Sequence, residues 1–96
     1  MGDAELAMAV VKRFLEDMPR QIEALKGFLE SGDAAAAQRQ AHTIKGASAN
    51  VGGERLRNAA LQVETAVRNG DLSRAASLIP EIDLQFDRLK EAMLIL

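Results

Sequence analysis

The chain of 96 residues has no cysteine, no tryptophan and no tyrosine, and its aromatic side chains are Phe14, Phe28 and Phe86 alone. Without cysteine there is no disulfide framework, no thiol nucleophile and no thiolate metal site. That suits a reducing compartment, and a cytoplasmic location is expected. Twelve basic residues against fourteen acidic ones leave a net charge of −2. This balance is neither a nucleic-acid footprint nor a polybasic membrane patch, and so few aromatics leave nothing for bases to stack on. Charges interrupt every apolar run well short of the ~18 residues of a membrane span, so no direct membrane contact is expected. Met1-Gly2 has the form of a myristoylation start, but Leu6 stands where Ser or Thr is required. Also lacking are a Gly-rich phosphate loop, a nucleotide motif and paired acidic residues around a pocket. The chain is therefore not expected to bind ATP, phosphorylate itself or act as an autonomous enzyme. A single histidine with no acidic pair beside it predicts no metal site.

What is present is helical periodicity. Asp3 is a good cap for a first helix carrying Ala7, Val10, Val11, Phe14 and Met18 on one face. Pro19 predicts a break or kink near Asp17, which would cap a second helix presenting Ile22, Leu25, Phe28 and Leu29 and ending at Ser31-Gly32. Asp33 caps a third helix at once, with a stripe of Ala34, Ala37, Ala41, Ile44, Ser48 and Val51 that closes at Gly52-Gly53. A fourth, over 54–68, buries Leu56, Ala60, Val63 and Val67. Asn69-Gly70-Asp71 reads as a C-cap followed by a new N-cap, because helical patterns flank it on both sides. The last helix repeats Leu72, Ala75, Ile79, Ile82, Phe86, Leu89, Met93 and Leu96, and Pro80 should kink it or split it near Leu78. Nothing alternates with period two. The expected architecture is one all-α domain over residues 1–96, an antiparallel four-helix bundle with an additional N-terminal helix.

His42 is the one histidine. At about 100° per residue it lies roughly 160° from Ile44, on the outer face of the third helix. Ala35, Gln38, Arg39, Lys45, Gly46 and Ala49 share that face. Lys45 and Gly46 are three and four residues on, so both adjoin the imidazole. A glycine inside an exposed helix costs about 1 kcal/mol relative to alanine. Its compensation would be the clearing it leaves, in which another molecule can come close. Imidazole, largely neutral at pH 7, is a competent nucleophile toward phosphorus. Its second nitrogen works better when an acceptor holds it, and the neighbouring helix offers Gln62 and Glu64. Ser48, on the inward stripe, is expected to bond back to the Ile44 carbonyl.

The run His42-Thr43-Ile44-Lys45-Gly46-Ala47-Ser48, followed by Val51-Gly52, resembles the motif of histidine-containing phosphotransfer domains. That pattern is His, any residue, an aliphatic, Lys, Gly, a small residue, often Ser, and a later Gly. Every element is present, and helix order and lengths agree over nearly the whole chain. The resemblance implies a phosphoryl carrier in a multistep phosphorelay, with His42 phosphorylated at Nε2 and no kinase activity of its own. It implies response-regulator receiver domains as donors and acceptors, including ones in the same polypeptide, and these would bring Mg²⁺. Lys45 would offset phosphoryl charge and Gly46 would admit the partner, while Gln38, Arg39 and Ala49 would line the contact. Glu64 falls where some family members place a polar partner. The family leans monomeric, and its members stand alone or form part of hybrid sensor kinases. The alternative class is a helical interaction module in which His42 is incidental.

Overall fold

A computed structural model describes residues 2–95, apart from the side chain of Asp3. It contains α1 (Gly2–Ser31), α2 (Ala34–Asn50), α3 (Glu54–Arg68), α4 (Leu72–Ser77) and α5 (Ile79–Leu94), with no strand among the described residues. Short connections force neighbouring helices to run antiparallel. The ring closes because α1 packs on both α2 and α5, and α3 on α2 and α5. The core is formed by Met18, Ile22 and Leu25 of α1, Ala37, Ala41 and Ile44 of α2, Leu56, Ala60 and Val63 of α3, and Ile82 and Phe86 of α5. Alanines on the inward face of α2 keep that helix close to its neighbours. Phe14 and Phe86 meet edge to face, ring centres 6.1 Å apart.

The N-terminal region corrects the expected pattern. Pro19 does not break the chain: α1 runs through it for 30 residues. The separate N-terminal helix is the first half of α1, and a cap at Asp3 is superseded because helix begins at Gly2; the Asp3 side chain lies outside the described residues. Asp17 does not cap a second helix but takes Arg13 Nε at 3.0 Å and Arg20 Nη2 at 2.6 Å. The physical reason is packing. Phe14 and Met18 before the proline and Ile22 and Leu25 after it are all buried on one stripe, which only a continuous helix keeps in register. Pro19 itself is exposed. The hydrogen bond it forfeits is one of many, and core burial outweighs the ~3 kcal/mol typical of an interior proline.

Pro80, by contrast, sits in the first turn of α5 after a division at Leu78. The break is cheap there, since the proline lacks only a donor that would have gone unused. Asp71 caps α4 by accepting from Arg74 N–H, directly after Gly70 in the left-handed region at φ 77°. At about 1.5 Å per residue α1 is about 45 Å long, which accounts for the 47 Å principal extent. Its first turns outreach α2, and the exposed apolar residues Leu6, Met8, Val10, Leu94 and Ile95 gather at that end of the molecule.

Candidate functional site

The helix bearing His42 is held firmly at both ends. Asp33 accepts the Ala36 N–H at 3.1 Å, and Gly32 turns the chain into it at φ 75°. At the far end the Gly53 N–H reaches the Ser48 carbonyl at 2.8 Å, closing a Schellman turn. Ala37, Ala41, Ile44 and Ser48 are buried, and the Ser48 hydroxyl donates to the Ile44 carbonyl at 2.7 Å. Ser48 therefore has its partner inside its own helix. With that stripe facing the core, His42 projects outward with 68 % of its side chain exposed.

The imidazole is nevertheless fixed. Nδ1 lies 2.8 Å from Oε2 of Glu64 on α3, and the Glu64 side chain is 4 % exposed. Lys45 Nζ donates to Oε1 of the same carboxylate at 2.7 Å, and Arg68 Nη2 stands 3.7 Å from Oε2. Burial pushes the Glu64 carboxyl up, but hydrogen bonds and charge from Lys45 and His42 outweigh it and hold it below the ordinary glutamate value. Glu64 is thus ionised at neutral pH and can only accept. Nδ1 must then carry the proton, and in the neutral ring the lone pair falls on Nε2.

Of the two acceptors considered on this helix, Glu64 makes the contact; Gln62 is exposed and joins nothing at the site. Gly46 is exposed, and a Cβ built there meets nothing within 4 Å. The fold itself does not require glycine at that position. Ala49 is exposed on the same face, and Gln38 and Arg39 stand one turn before His42. A cleft of about 500 Å³ opens beside the imidazole, lined by Ala35, Gln38, Arg39, Thr43, His42 and Glu64. Arg68 was not singled out by the sequence motif. Its signal was available, since it lies one turn after Glu64 at the spacing where helix side chains meet. Among the described residues, no group of three or more His, Asp or Glu comes together as a metal site.

His42 thus projects from an all-α bundle with Nδ1 held by Glu64 and with Nε2 bonded to none of the described residues. The chain belongs to the Hpt domain family, which matches residues 9–92. Members of that family are phosphotransfer intermediates rather than kinases. The chain is also similar to the phosphorelay intermediate protein rdeA of Dictyostelium discoideum, 24 % identical over 88 residues that cover 92 % of this chain. Those residues cover 35 % of rdeA, so the chain spans about a third of that relative's length. No solved structure matches the chain significantly. No helix among the described residues is long and apolar enough to cross a membrane.

Proposed function

We propose that this domain is a cytoplasmic phosphoryl carrier in a multistep phosphorelay, with His42 as the residue that is phosphorylated. The observation that supports it best is the hydrogen bond from Nδ1 to buried Glu64, which leaves the Nε2 lone pair on an exposed ring. Nε2 attacks the phosphorus of an aspartyl phosphate on a receiver domain. A P–N bond forms as the P–O bond to the aspartyl carboxylate breaks, and that carboxylate leaves with the electron pair. No proton need move, because Nδ1 keeps its own. Positive charge develops on the ring as the bond forms, and the Glu64 carboxylate is already placed against it.

Lys45 supplies a cation beside the phosphoryl oxygens, and Gly46 leaves room for the receiver's loops. Mg²⁺ and the remaining catalytic groups arrive with the receiver, since phosphoryl transfer rests mainly on positioning and charge neutralisation. The return step to a second receiver is the same reaction reversed. The domain acts as a monomer, whether alone or joined to a sensor kinase. The similarity to rdeA supports the relay role, and the outward placement of His42 supports the site.

The test is incubation with phosphorylated receiver domains and Mg²⁺, followed by intact-mass measurement and acid treatment. An acid-labile phosphoryl mass is expected on the unaltered protein, none on His42→Gln, and none on either with ATP and Mg²⁺ alone. If a broad panel of receivers transfers nothing to the folded protein, the carrier role is wrong and a plain helical interaction module is left.

A further inference from the structure

At the corner between α3 and α4, Gly70 and Asp71 each have a structural reason. Gly70 takes the left-handed conformation at φ 77°, and the Asp71 carboxylate accepts the Arg74 N–H at 2.9 Å. Asn69, which ends α3 just before that glycine, is exposed and brings a side-chain amide beside an unhindered backbone nitrogen. That pairing has a chemistry of its own, because a carboxamide can be attacked by the backbone nitrogen of the residue that follows it.

The chain offers an internal comparison, since its asparagines are Asn50, Asn58 and Asn69, all exposed. Exposure therefore does not separate them. Asn50 ends α2 and is followed by Val51, whose β-branched side chain crowds the nitrogen. Asn58 lies inside α3 and is followed by buried Ala59, so the helix holds both residues in place. Gly70 is the one following residue without a side chain, and a Cβ built there would meet nothing within 4 Å.

The closed turn holds the reaction back. The Gly70 N–H donates to the Val67 carbonyl at 2.9 Å, and the Asp71 N–H to the Ala66 carbonyl at 2.9 Å. With ψ of Asn69 at 3°, its side chain is turned away from the Gly70 nitrogen, whereas ring closure needs the two eclipsed about the Cα–C bond. The turn must open first. Glycine eases that opening, being free to leave the left-handed region, and helix ends are where native proteins open at least cost.

We propose that Asn69 is a deamidation site whose rate is set by opening of the α3–α4 corner. The Gly70 nitrogen attacks Cγ of Asn69 and gives up its proton. The bond from Cγ to the side-chain nitrogen breaks, and ammonia leaves with that proton. Water then opens the cyclic imide at either carbonyl, leaving aspartate or isoaspartate. Both products place a carboxylate at the C-terminal end of α3, against the helix dipole. Isoaspartate also lengthens the main chain by a methylene, so the bonds from Gly70 and Asp71 back to α3 cannot both be kept. Glu64 lies little more than one turn earlier on α3, so ageing of this corner bears on the end of the helix that holds His42. The assignment itself is independent of the carrier role.

The intact protein, kept folded at mildly alkaline pH and sampled over weeks, tests it by peptide mapping and isoaspartyl methyltransferase labelling. Asn69 should become a mixture of the two acids while Asn50 and Asn58 keep their amides. In urea, where the turn no longer protects it, Asn69 should react at least about tenfold faster. Asp71→Ala, which removes the α4 cap, should quicken the loss in the folded protein, in step with hydrogen exchange at the Gly70 N–H. Asn69→Gln should abolish the acidic species, because glutamine closes a larger ring far more slowly. Its Tm should hold on storage while that of the unaltered protein falls. Asn69 outlasting either of the other asparagines, or reacting equally fast folded and in urea, would overturn the assignment. So would an Asn69 amide still whole in the folded protein long after urea has consumed it, or a rate that Asp71→Ala leaves unchanged.

Discussion

Replacing Glu64 with alanine should slow receiver-dependent phosphorylation of His42 by about 10- to 100-fold while the bundle stays folded. Two effects add. The carboxylate fixes which ring nitrogen bears the proton, and it offsets charge that develops as phosphorus bonds to Nε2. With Glu64 gone, the ring is free to turn and to carry its proton on Nε2, which then has no lone pair. Lys45 also loses the partner that holds it 2.7 Å away. Nitrogen-15 NMR of the imidazole is the decisive measurement, read beside circular dichroism that shows the helices intact, because an unfolded chain would free the ring as well. The unaltered protein should show the Nδ1–H form when neutral, and Glu64→Ala a majority of Nε2–H. An unchanged tautomer with unchanged transfer would show that the clamp is idle.

The same carboxylate links stability to pH. Its folded-state pKa is depressed, so between the folded and unfolded values the unfolded chain binds more protons. The stabilisation is therefore complete above the ordinary glutamate value and lost as pH falls through the lower folded one. In Glu64→Gln that part of the acid dependence should vanish, which urea titrations at stepped pH would show.

Gly46 carries the second large effect, and there fold and function should move in opposite directions. Open space around a Cβ at this position means alanine brings no clash. Gly46→Ala should stabilise the helix by about 1 kcal/mol, worth roughly 4–8 °C in Tm for a domain of this size. Transfer from a receiver should nevertheless fall. Gly46→Gln, which fills the clearing beside the imidazole, should lower it by about 100-fold or more, on the scale of a misplaced reacting group. Gly27 supplies the control: it too is an exposed glycine inside a helix with open space around it, but on α1, away from His42. Gly27→Ala should give a similar rise in Tm with transfer intact. Equal transfer in Gly46→Gln and the unaltered protein would mean that no partner approaches there.

Much of this arrangement is legible in the residues themselves. Periodicity places Ile44 and Ser48 inward and His42 outward, and single residues such as Asp33 and Gly32 mark where α2 begins. Pro80 divides the last helices because its break falls at a helix start, where it costs little. Pro19 misleads for the converse reason. A local rule about one missing hydrogen bond competes there with four buried side chains, and only the packed structure says which wins. The partner of His42 is a different kind of gap. Gln62 and Glu64 flank Val63 on opposite sides of the α3 stripe, about 100° each way. Which side faces α2 depends on the handedness of the bundle and the rotation of α3, and no residue of α2 encodes either. Arg68 then follows from Glu64 by helix spacing, so one unresolved rotation hid both.

The His42 ring stands with most of its surface open to solvent, yet it is anchored at Nδ1 and so presents Nε2 in a single direction. Every molecule that exchanges phosphate with it must occupy the same approach, so donor and acceptor take turns in a queue of one. A receiver that binds but has nothing to give becomes a competitive inhibitor of the relay. Traffic through the node then depends on the relative abundance of its clients as much as on the speed of any chemical step.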